Sequence, residues 1–361
     1  MDERLQVGIL GGTGMVGQRF ISLLADHPWF EVRVIAASAR SAGKTYKDAV
    51  GDRWKMKTPM PDCVKDIVVM NVNEVDKIAS MVDFVFSAVD MTKDEIRAIE
   101  EAYAKAETPV ISNNSAHRWT PDVPMMIPEL NSDHAQVIEA QRKRLGTKRG
   151  FIAVKPNCSI QSYTPALYAW REFEPYEVVA TTYQAISGAG KTFKDWPEMV
   201  ENVIPYIGGE EEKSEQEPLR IFGKVEGGEI IKASEPVITC QCIRVPVLDG
   251  HTAAVFVKFR KKPTKQQLID KLTSFSGEPQ ELELPSAPKQ FMRYMEEENR
   301  PQTKLDVDYE NGMGISIGRL REDTVYDFKF VGLSHNTLRG AAGGGVLCAE
   351  YLYKKGYITK K

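Results

Sequence analysis

The chain has 361 residues, enough for two domains with separate cores, and its composition, 42% hydrophobic and 27% charged, is ordinary for a globular protein. The net charge of −3 argues against general nucleic-acid binding, because no excess of Lys and Arg is available to neutralise phosphates. No apolar run reaches the roughly 18 residues that span a bilayer, and no signal-peptide core follows the N-terminus. The odd number of five cysteines favours a reducing compartment, so we predict a cytoplasmic protein with no membrane partner.

A glycine-rich stretch stands near the start of the chain. An apolar strand runs into Gly11, Gly14 and Gly17, spaced three apart, and the apolar positions of a helix follow. Glycine permits a tight turn and a close backbone approach to a pyrophosphate at the helix N-terminus. The order of strand, glycine loop and helix therefore predicts a dinucleotide site, with a plain glycine turn as the structural alternative.

The second predicted strand, residues 31–37, ends in Ser38, Arg40 and Ser41. An NAD site usually has Asp or Glu here to accept hydrogen bonds from the ribose 2′-hydroxyl. Hydroxyls and a guanidinium instead suit the 2′-phosphate of NADP. A solvated loop is the alternative, and the upstream glycine loop favours the cofactor.

Strands and helices then alternate, with strands at 67–72, 83–88 and 109–112 and a helix at about 92–105. This alternation is typical of a parallel, doubly wound sheet. One of these strands ends at Ser87, and the strand after it is followed by Asn113. The loops that follow both strands are expected on the cofactor edge of that sheet.

Longer β-type runs dominate the second half, at 178–186, 236–247, 253–260 and 325–331. We predict an α/β protein whose N-terminal Rossmann-like, doubly wound parallel sheet is followed by a second, α+β domain with a largely antiparallel sheet. A last helix, starting near 337, is expected to return to the first domain. The predicted division is 1–156 plus 338–361 for the cofactor domain and 157–337 for the second. Cys240 and Cys242 are expected on opposite faces of a strand, and no metal site is predicted.

Cys158 occupies a predicted turn between strand and helix. An apolar run at 151–154 is broken by Pro156, and an amphipathic pattern starts at Ser159. A thiol at a helix N-terminus is expected to have a lowered pKa, and the nearby N–H groups could hold an oxyanion. Cys158 is thus a candidate nucleophile, with a buried structural cysteine as the alternative.

A nucleotide fold with one activated thiol limits the chemistry. A cysteine that attacks an aldehyde forms a thiohemiacetal, which can give hydride to a nicotinamide, and another nucleophile cleaves the resulting thioester. A histidine must then exchange protons with sulfur and oxygen. Gly250-His251, between two strands, places His251 at a predicted loop tip; its role depends on whether it reaches Cys158.

Several motifs of the chain are specific when they occur together. They are Gly11-Gly12-Thr13-Gly14-Met15-Val16-Gly17, Ser38-Ala39-Arg40-Ser41-Ala42-Gly43, Pro156-Asn157-Cys158-Ser159, Tyr183-Gln184-Ala185-Ile186-Ser187-Gly188-Ala189-Gly190, the run 210–213, Arg244-Val245-Pro246-Val247, Gly250-His251 and Arg339-Gly340-Ala341-Ala342-Gly343 with its glycine tail. In these motifs the chain resembles the aspartate-semialdehyde dehydrogenase family over nearly its full length, and its archaeal and fungal branch in particular.

The resemblance implies a role for each matching residue. Cys158 is the nucleophile, His251 the acid/base, Gln184 an orienting group near the thiol, and Asn157 support for the oxyanion or phosphate region. Arg244 pairs with the substrate carboxylate, Glu210 with its ammonium (Glu211 if the register is off by one), and Lys213 and Arg118 with phosphate. The implied NADP contacts are Gly11, Thr13, Gly14, Met15, Val16, Ser38, Arg40, Ser41, Ser87, Ser187, Gly188 and Asn336.

The implied reaction is the NADP-dependent reductive dephosphorylation of L-aspartyl-4-phosphate to L-aspartate 4-semialdehyde, in lysine, threonine and methionine biosynthesis. The implied partners are this small substrate and phosphate, with a homodimer or homotetramer as the assembly. The resemblance also makes 157–337 the catalytic and dimerisation domain. Related alternatives are an N-acetyl-γ-glutamyl-phosphate reductase and a malonyl-CoA reductase-like enzyme. A cysteine hydrolase and a non-catalytic NADP-binding protein are alternatives of another class.

Overall fold

The computed structural model describes residues 4–361, which form two six-stranded sheets, a small hairpin and the helices packed against them. The first sheet is built from β1 (Leu5–Leu10), β2 (Phe30–Ala37), β3 (Met70–Asn71), β4 (Phe84–Ser87), β5 (Val110–Ser112) and β6 (Ile152–Val154). Its order is β3-β2-β1-β4-β5-β6, and every neighbouring pair is parallel. The doubly wound sheet is confirmed, and its order reverses at β1, where a ligand crevice is expected.

The helices of this half are α1 (Met15–Leu24), α2 (Tyr46–Val50), α3 (Asp62–Lys65), α4 (Val75–Met81), α5 (Lys93–Lys105), α6 (Pro128–Asn131) and α7 (Ile138–Leu145). The predicted helix at 92–105 is α5, which begins with a capping box. The Thr92 hydroxyl accepts from the Glu95 N–H at 3.3 Å, and the Glu95 carboxylate accepts from the Thr92 N–H at 2.9 Å.

The prediction of a strand over 67–72 is wrong in its length, because only Met70–Asn71 joins the sheet. The residues before it bond to another segment: the Tyr46 N–H donates to the Ile67 carbonyl and the Val69 N–H to the Lys44 carbonyl, both at 2.8 Å. These bonds draw 67–69 away from β2.

The second half contains β7 (Pro175–Gln184), a hairpin of β8 (Lys224–Glu226) and β9 (Glu229–Ile231), β10 (Val237–Arg244), β11 (His251–Phe259), β12 (Met292–Met295), β13 (Ile315–Glu322) and β14 (Phe328–Ser334). The large sheet has the order β10-β7-β11-β14-β13-β12. Its three central pairs are antiparallel and its two edge pairs are parallel. The largely antiparallel sheet is confirmed. The remaining helices are α8 (Thr164–Ala169), α9 (Glu210–Ile221), α10 (Lys265–Thr273), α11 (Glu278–Glu281), α12 (Thr303–Asp306) and α13 (Gly343–Lys354).

Cys240 and Cys242 lie on the same face of β10. Both are buried, and their sulfurs are 3.8 Å apart. The expectation of opposite faces is wrong, because side chains alternate along a strand and residues two apart share a face.

The C-terminal segment returns to the first half of the chain. Val346 and Leu347 of α13 pack in one hydrophobic cluster with Val7 and Ile9 of β1. A buried ion pair holds the turn before this helix, with Arg339 Nη2 2.6 Å from a Glu129 carboxylate oxygen. The division at 156 and 338 stays a prediction.

Two glycines let other segments approach the turn that carries Cys158. A Cβ on Gly332 of β14 would lie 1.8 Å from the Ser162 carbonyl oxygen. A Cβ on Gly340 would lie 2.8 Å from the Cys158 Cβ. Side chains at these positions would therefore push the second sheet and the C-terminal segment away from the turn.

No helix within 4–361 is long and apolar enough to cross a membrane. In the same range, no group of three or more His, Cys, Asp or Glu side chains has an arrangement that could hold a metal ion.

Candidate active site

Cys158 lies in the turn that follows β6, where the two halves of the chain meet. A four-residue 3₁₀ turn, Ser159–Ser162, comes next, and Tyr163, with φ of −140°, separates it from α8. The continuous helix expected from Ser159 is therefore wrong. A macrodipole needs several aligned turns, so this short segment supplies little positive potential to the thiol.

The expected lowering of the Cys158 pKa is also wrong. Burial is the largest influence and raises the pKa of this thiol to about 11, and the nearby Glu210 carboxylate adds to the rise. Three cations act in the opposite direction and lower it: Lys155, Arg118 and Arg244. The sulfur thus lies in a site where burial opposes its ionisation and positive charge supports it.

His251 reaches the sulfur. Its Nε2 is 3.3 Å from the Cys158 Sγ, while its Nδ1 accepts a hydrogen bond of 3.0 Å from the Ala185 N–H. The residue is fully buried as the first residue of β11, so the expected loop tip is wrong. Burial lowers the pKa of His251 to about 3, with a further contribution from Arg244, so the ring is neutral at neutral pH.

Glu210, the first residue of α9, is the centre of a polar cluster beside the thiol. One of its carboxylate oxygens accepts from Asn157 Nδ2 and Lys213 Nζ, both at 3.0 Å, and the other accepts from Gln184 Nε2 at 3.1 Å. Burial alone would raise the pKa of Glu210, but Lys213 and the two amides hold it below its ordinary value. The helix therefore presents an ionised carboxylate to the site, and Glu210 rather than Glu211 occupies this position.

Arg244, the last residue of β10, lies on the other side of the histidine. Its Nη1 donates to the Ala185 carbonyl at 2.6 Å. The absence of a side chain at Gly188 leaves room between the two groups, since a Cβ there would lie 3.1 Å from Arg244 Nη1 and 3.2 Å from His251 Nε2. A guanidinium and an imidazole thus face the same small space.

Arg118 is buried and already paired. Its Nη1 donates to Glu217 at 2.9 Å, and its Nε donates to the Lys155 carbonyl at 3.0 Å. The other Glu217 oxygen accepts from the Asn157 N–H at 2.6 Å, so Glu217 holds the turn that carries Cys158 and the arginine together. Glu217 is absent from the sequence-based set, although its position seven residues after Glu210 places both carboxylates on one face of α9.

The glycine loop lines a cavity of about 280 Å³ at the carboxyl ends of β1 and β4. Four predicted cofactor residues, Gly11, Thr13, Gly14 and Ser38, line it with Ala37, Arg53, Val72, Ala88, Val89, Asp90 and Met91. A Cβ on Gly11 would lie 2.3 Å from the Ala88 carbonyl oxygen, whereas one on Gly14 would meet no atom closer than 3.7 Å. The loop packs closely against the residues after β4 on one side and is open towards the cavity on the other. This arrangement fits the binding of a dinucleotide.

The remaining predicted cofactor residues divide into groups. Met15 and Val16 begin α1, and Arg40 is exposed and Ser41 buried in the turn after β2. Ser187, Gly188 and Asn336 lie near His251: Asn336 Nδ2 donates to the Ser187 hydroxyl and its Oδ1 accepts from the Gly250 N–H, both at 2.8 Å. The fully buried Ser87 hydroxyl accepts from Asn114 Nδ2 at 3.3 Å.

Arg53 and Lys155 are also absent from the sequence-based set. Arg53 is the only cationic residue among those that line the glycine-loop cavity, and its Nη2 donates to the Ala49 carbonyl at 2.5 Å. Lys155 is 2% exposed and comes directly before the turn that carries Cys158. Neither belongs to a periodic motif, so no pattern in the sequence distinguishes it from a surface residue.

The two halves of the chain match two family models. Residues 6–138 match the semialdehyde dehydrogenase NAD-binding domain, and residues 166–339 match the semialdehyde dehydrogenase dimerisation domain. The chain is similar to a solved structure of aspartate-semialdehyde dehydrogenase with NADP from Candida albicans. That likeness has a TM-score of 0.88 at 38% identity and covers 99% of this chain and 100% of the other.

Two relatives extend this match across the whole sequence. Aspartate-semialdehyde dehydrogenase of Schizosaccharomyces pombe is 44% identical over 98% of this chain and 99% of its own length. The protein of that name from Archaeoglobus fulgidus is 41% identical over 98% of this chain and 100% of its own length. Fungal and archaeal relatives alike therefore align from end to end, and the chain belongs to the aspartate-semialdehyde dehydrogenase family.

Proposed function

We propose that the chain catalyses the NADP-dependent conversion of L-aspartyl-4-phosphate to L-aspartate 4-semialdehyde and phosphate, and the reverse reaction. The observation that carries this proposal is the 3.3 Å contact between the Cys158 sulfur and His251, placed beside a buried set of charged side chains. The names of the S. pombe and A. fulgidus relatives and the NADP in the C. albicans structure support it.

The thiolate of Cys158 attacks the acyl carbon of aspartyl phosphate. The carbon–sulfur bond forms, phosphate leaves with the carbon–oxygen electron pair, and a thioester remains. NADPH, when bound, supplies the hydride that reduces this thioester. Collapse of the thiohemiacetal then releases the aldehyde and returns the thiolate.

His251 acts as the acid/base residue at the substrate oxygen. Because its Nδ1 accepts from the Ala185 N–H at 3.0 Å, the neutral ring carries its proton on Nε2, the atom that faces the sulfur. That N–H donates to the Cys158 thiolate before the attack and to the negative oxygen of the tetrahedral stages after it. Burial lowers the pKa of His251 to about 3, so the ring acts in this neutral form at neutral pH.

Substrate recognition uses the charged groups around the thiol. Arg244 receives the α-carboxylate with its planar fork, and Gln184 orients the acyl group. The ionised Glu210 receives the substrate ammonium, while Lys213 and Arg118 lie on the side of the leaving phosphate. Asn157 holds Glu210 through its amide at 3.0 Å and thereby supports this arrangement.

The ionised Glu210 also favours this substrate over the closest alternatives. An N-acetyl-γ-glutamyl phosphate carries no free ammonium, so its pocket needs no buried carboxylate. A malonyl-CoA reductase needs a site for the CoA chain, and a cysteine hydrolase needs no glycine-loop cavity. A non-catalytic NADP-binding protein needs no thiol 3.3 Å from a histidine.

The other expectations follow the family. Gly11, Thr13, Gly14, Met15 and Val16 would hold the diphosphate of NADP, and Ser38, Arg40 and Ser41 would bind its 2′-phosphate. Ser87, Ser187, Gly188 and Asn336 would hold its nicotinamide half. The protein acts in the cytoplasm as a homodimer or homotetramer. The match to a dimerisation domain supports the assembly.

Replacement of Cys158 by Ser is expected to abolish turnover while NADPH binding and the fold remain. A hydroxyl is far less nucleophilic than a thiolate, and the change is nearly isosteric. The measurements are steady-state turnover and NADPH titration by fluorescence. Activity above a tenth of the wild-type value would exclude Cys158 as the covalent centre.

Replacement of Arg40 by Ala is expected to weaken NADPH binding by about tenfold or more and to leave NADH binding nearly unchanged. Only NADPH offers the 2′-phosphate, and a charge-assisted hydrogen bond contributes about 1.5–3 kcal/mol. Calorimetric dissociation constants for both cofactors test this, with NADH as the internal control. Equal losses for the two cofactors would show that Arg40 does not bind the 2′-phosphate.

Glu210→Gln is expected to raise the KM for the semialdehyde by about tenfold or more with little effect on the KM for phosphate. Lys213→Met is expected to raise the KM for phosphate by about tenfold or more and, because Lys213 also keeps Glu210 ionised, the KM for the semialdehyde by a smaller factor. The carboxylate serves the ammonium, whereas the lysine serves the anion. Glu212→Gln is the matched control, because Glu212 is exposed on the same helix. If both KM values change less than about twofold in the Glu210 and Lys213 variants, as expected for the control, the two side chains form only a structural ion pair.

A further inference from the structure

Lys155 is a buried cation that the proposed mechanism does not use. It is 2% exposed, and its Nζ donates to the Pro156 carbonyl at 2.5 Å. Its backbone is fixed on both sides, since its N–H donates to the Ser112 carbonyl at 3.0 Å and its carbonyl accepts from Arg118 Nε at 3.0 Å. The side chain is thus held between β6 and the catalytic turn.

The C-terminal segment contacts Lys155 and Cys158 together. A Cβ on Gly340 would lie 2.8 Å from the Cys158 Cβ, and a Cβ on Gly344 would lie 3.4 Å from the Lys155 Cε. These glycines are four residues apart along one segment, so the lysine and the cysteine lie side by side on it.

The charged and titratable groups around Lys155 come from every element packed against it. Arg118 lowers its pKa and is paired with Glu217 at 2.9 Å, and Arg339 lowers it and is paired with Glu129 at 2.6 Å. Cys158 and Glu217 raise it, and Lys155 in turn lowers the pKa of Cys348 in α13. Within 4–361, Lys155 itself makes no ion pair with a carboxylate.

We propose that Lys155 is a positioning residue for the reaction, and that its buried ammonium stabilises the thiolate of Cys158 from behind the catalytic turn. Among the three cations that favour the thiolate, Arg118 is offset by Glu217 and Arg244 is offset by the substrate carboxylate. No carboxylate in the described part of the chain offsets the charge of Lys155, so its ammonium form acts on the sulfur also when the substrate is bound. The inference rests on the proposed role of Cys158 as the nucleophile.

The arrangement has a specific pH dependence. Burial holds the pKa of Lys155 at about 7 while that of the thiol is raised to about 11. Above about pH 7 the pair shares one proton, which lies either on the amine or on the sulfur. The ratio of these two forms does not depend on pH, so thiolate reactivity rises up to about pH 7 and then reaches a plateau.

Alkylation by iodoacetamide measures this directly in the full-length protein, with peptide mass spectrometry used to follow each cysteine. The exposed Cys63 is the internal reference for the reagent. The wild-type protein is expected to show the plateau at Cys158. If the alkylation rate of Cys158 in the wild-type protein rises without a plateau between about pH 7 and 10, the proposal is contradicted, independently of the results with variants.

Lys155→Met, which keeps the side-chain length and removes the charge, is expected to abolish the plateau and to slow Cys158 alkylation about tenfold or more near neutral pH. The Cys63 rate is expected to stay unchanged. Lys55→Met is the matched control, because Lys55 is partly buried and paired with Asp195 at 3.1 Å. It should keep the wild-type profile. A Lys155→Met profile equal to wild type would overturn the proposal, and since alkylation needs no substrate, an error in the proposed reaction would leave this result unaffected.

Discussion

The Cys158 sulfur lies in the turn after the last strand of the first sheet, whereas His251 begins β11 of the second sheet, and holding the sulfur and Nε2 3.3 Å apart requires the two sheets to approach closely. Gly332 and Gly340 permit that approach, because any side chain at either position would overlap the turn after β6. On the other side, the Ala185 N–H fixes the imidazole at 3.0 Å. The remaining polar groups can contribute to chemistry only while this contact is maintained.

Burial determines how the charged groups around the contact behave. It raises the pKa of the thiol to about 11 and lowers that of the imidazole to about 3, so both are neutral at neutral pH. Glu210 stays ionised because Lys213 and two amides bind it. A substrate that brings a carboxylate, an ammonium and a phosphate finds opposite charges already desolvated, and such preorganised charges act more strongly than the same charges in water.

Patterns of neighbouring residues predicted the fold well. The glycine loop, the capped helix α5 and the alternation of the second half have local causes that a sequence displays. Features that depend on partners distant in sequence were missed or misjudged. The 67–69 segment bonds to 43–46 instead of continuing β3, and the turn after Cys158 is too short for a dipole. Lys155 and Glu217 become significant only because they lie near Cys158 in three dimensions. Cys240 and Cys242 were a different case, since the alternation of a strand already places them on one face.

A covalent aspartyl group on Cys158 is the central claim of the proposed mechanism. Incubation with aspartate semialdehyde and NADP, without phosphate, should leave the thioester uncleaved except by slow hydrolysis. Rapid acid quenching followed by peptide mass spectrometry is expected to show one aspartyl group on the peptide that carries Cys158, in step with a burst of NADPH, and its removal when phosphate is added. A burst of NADPH with Cys158 unmodified would contradict the account.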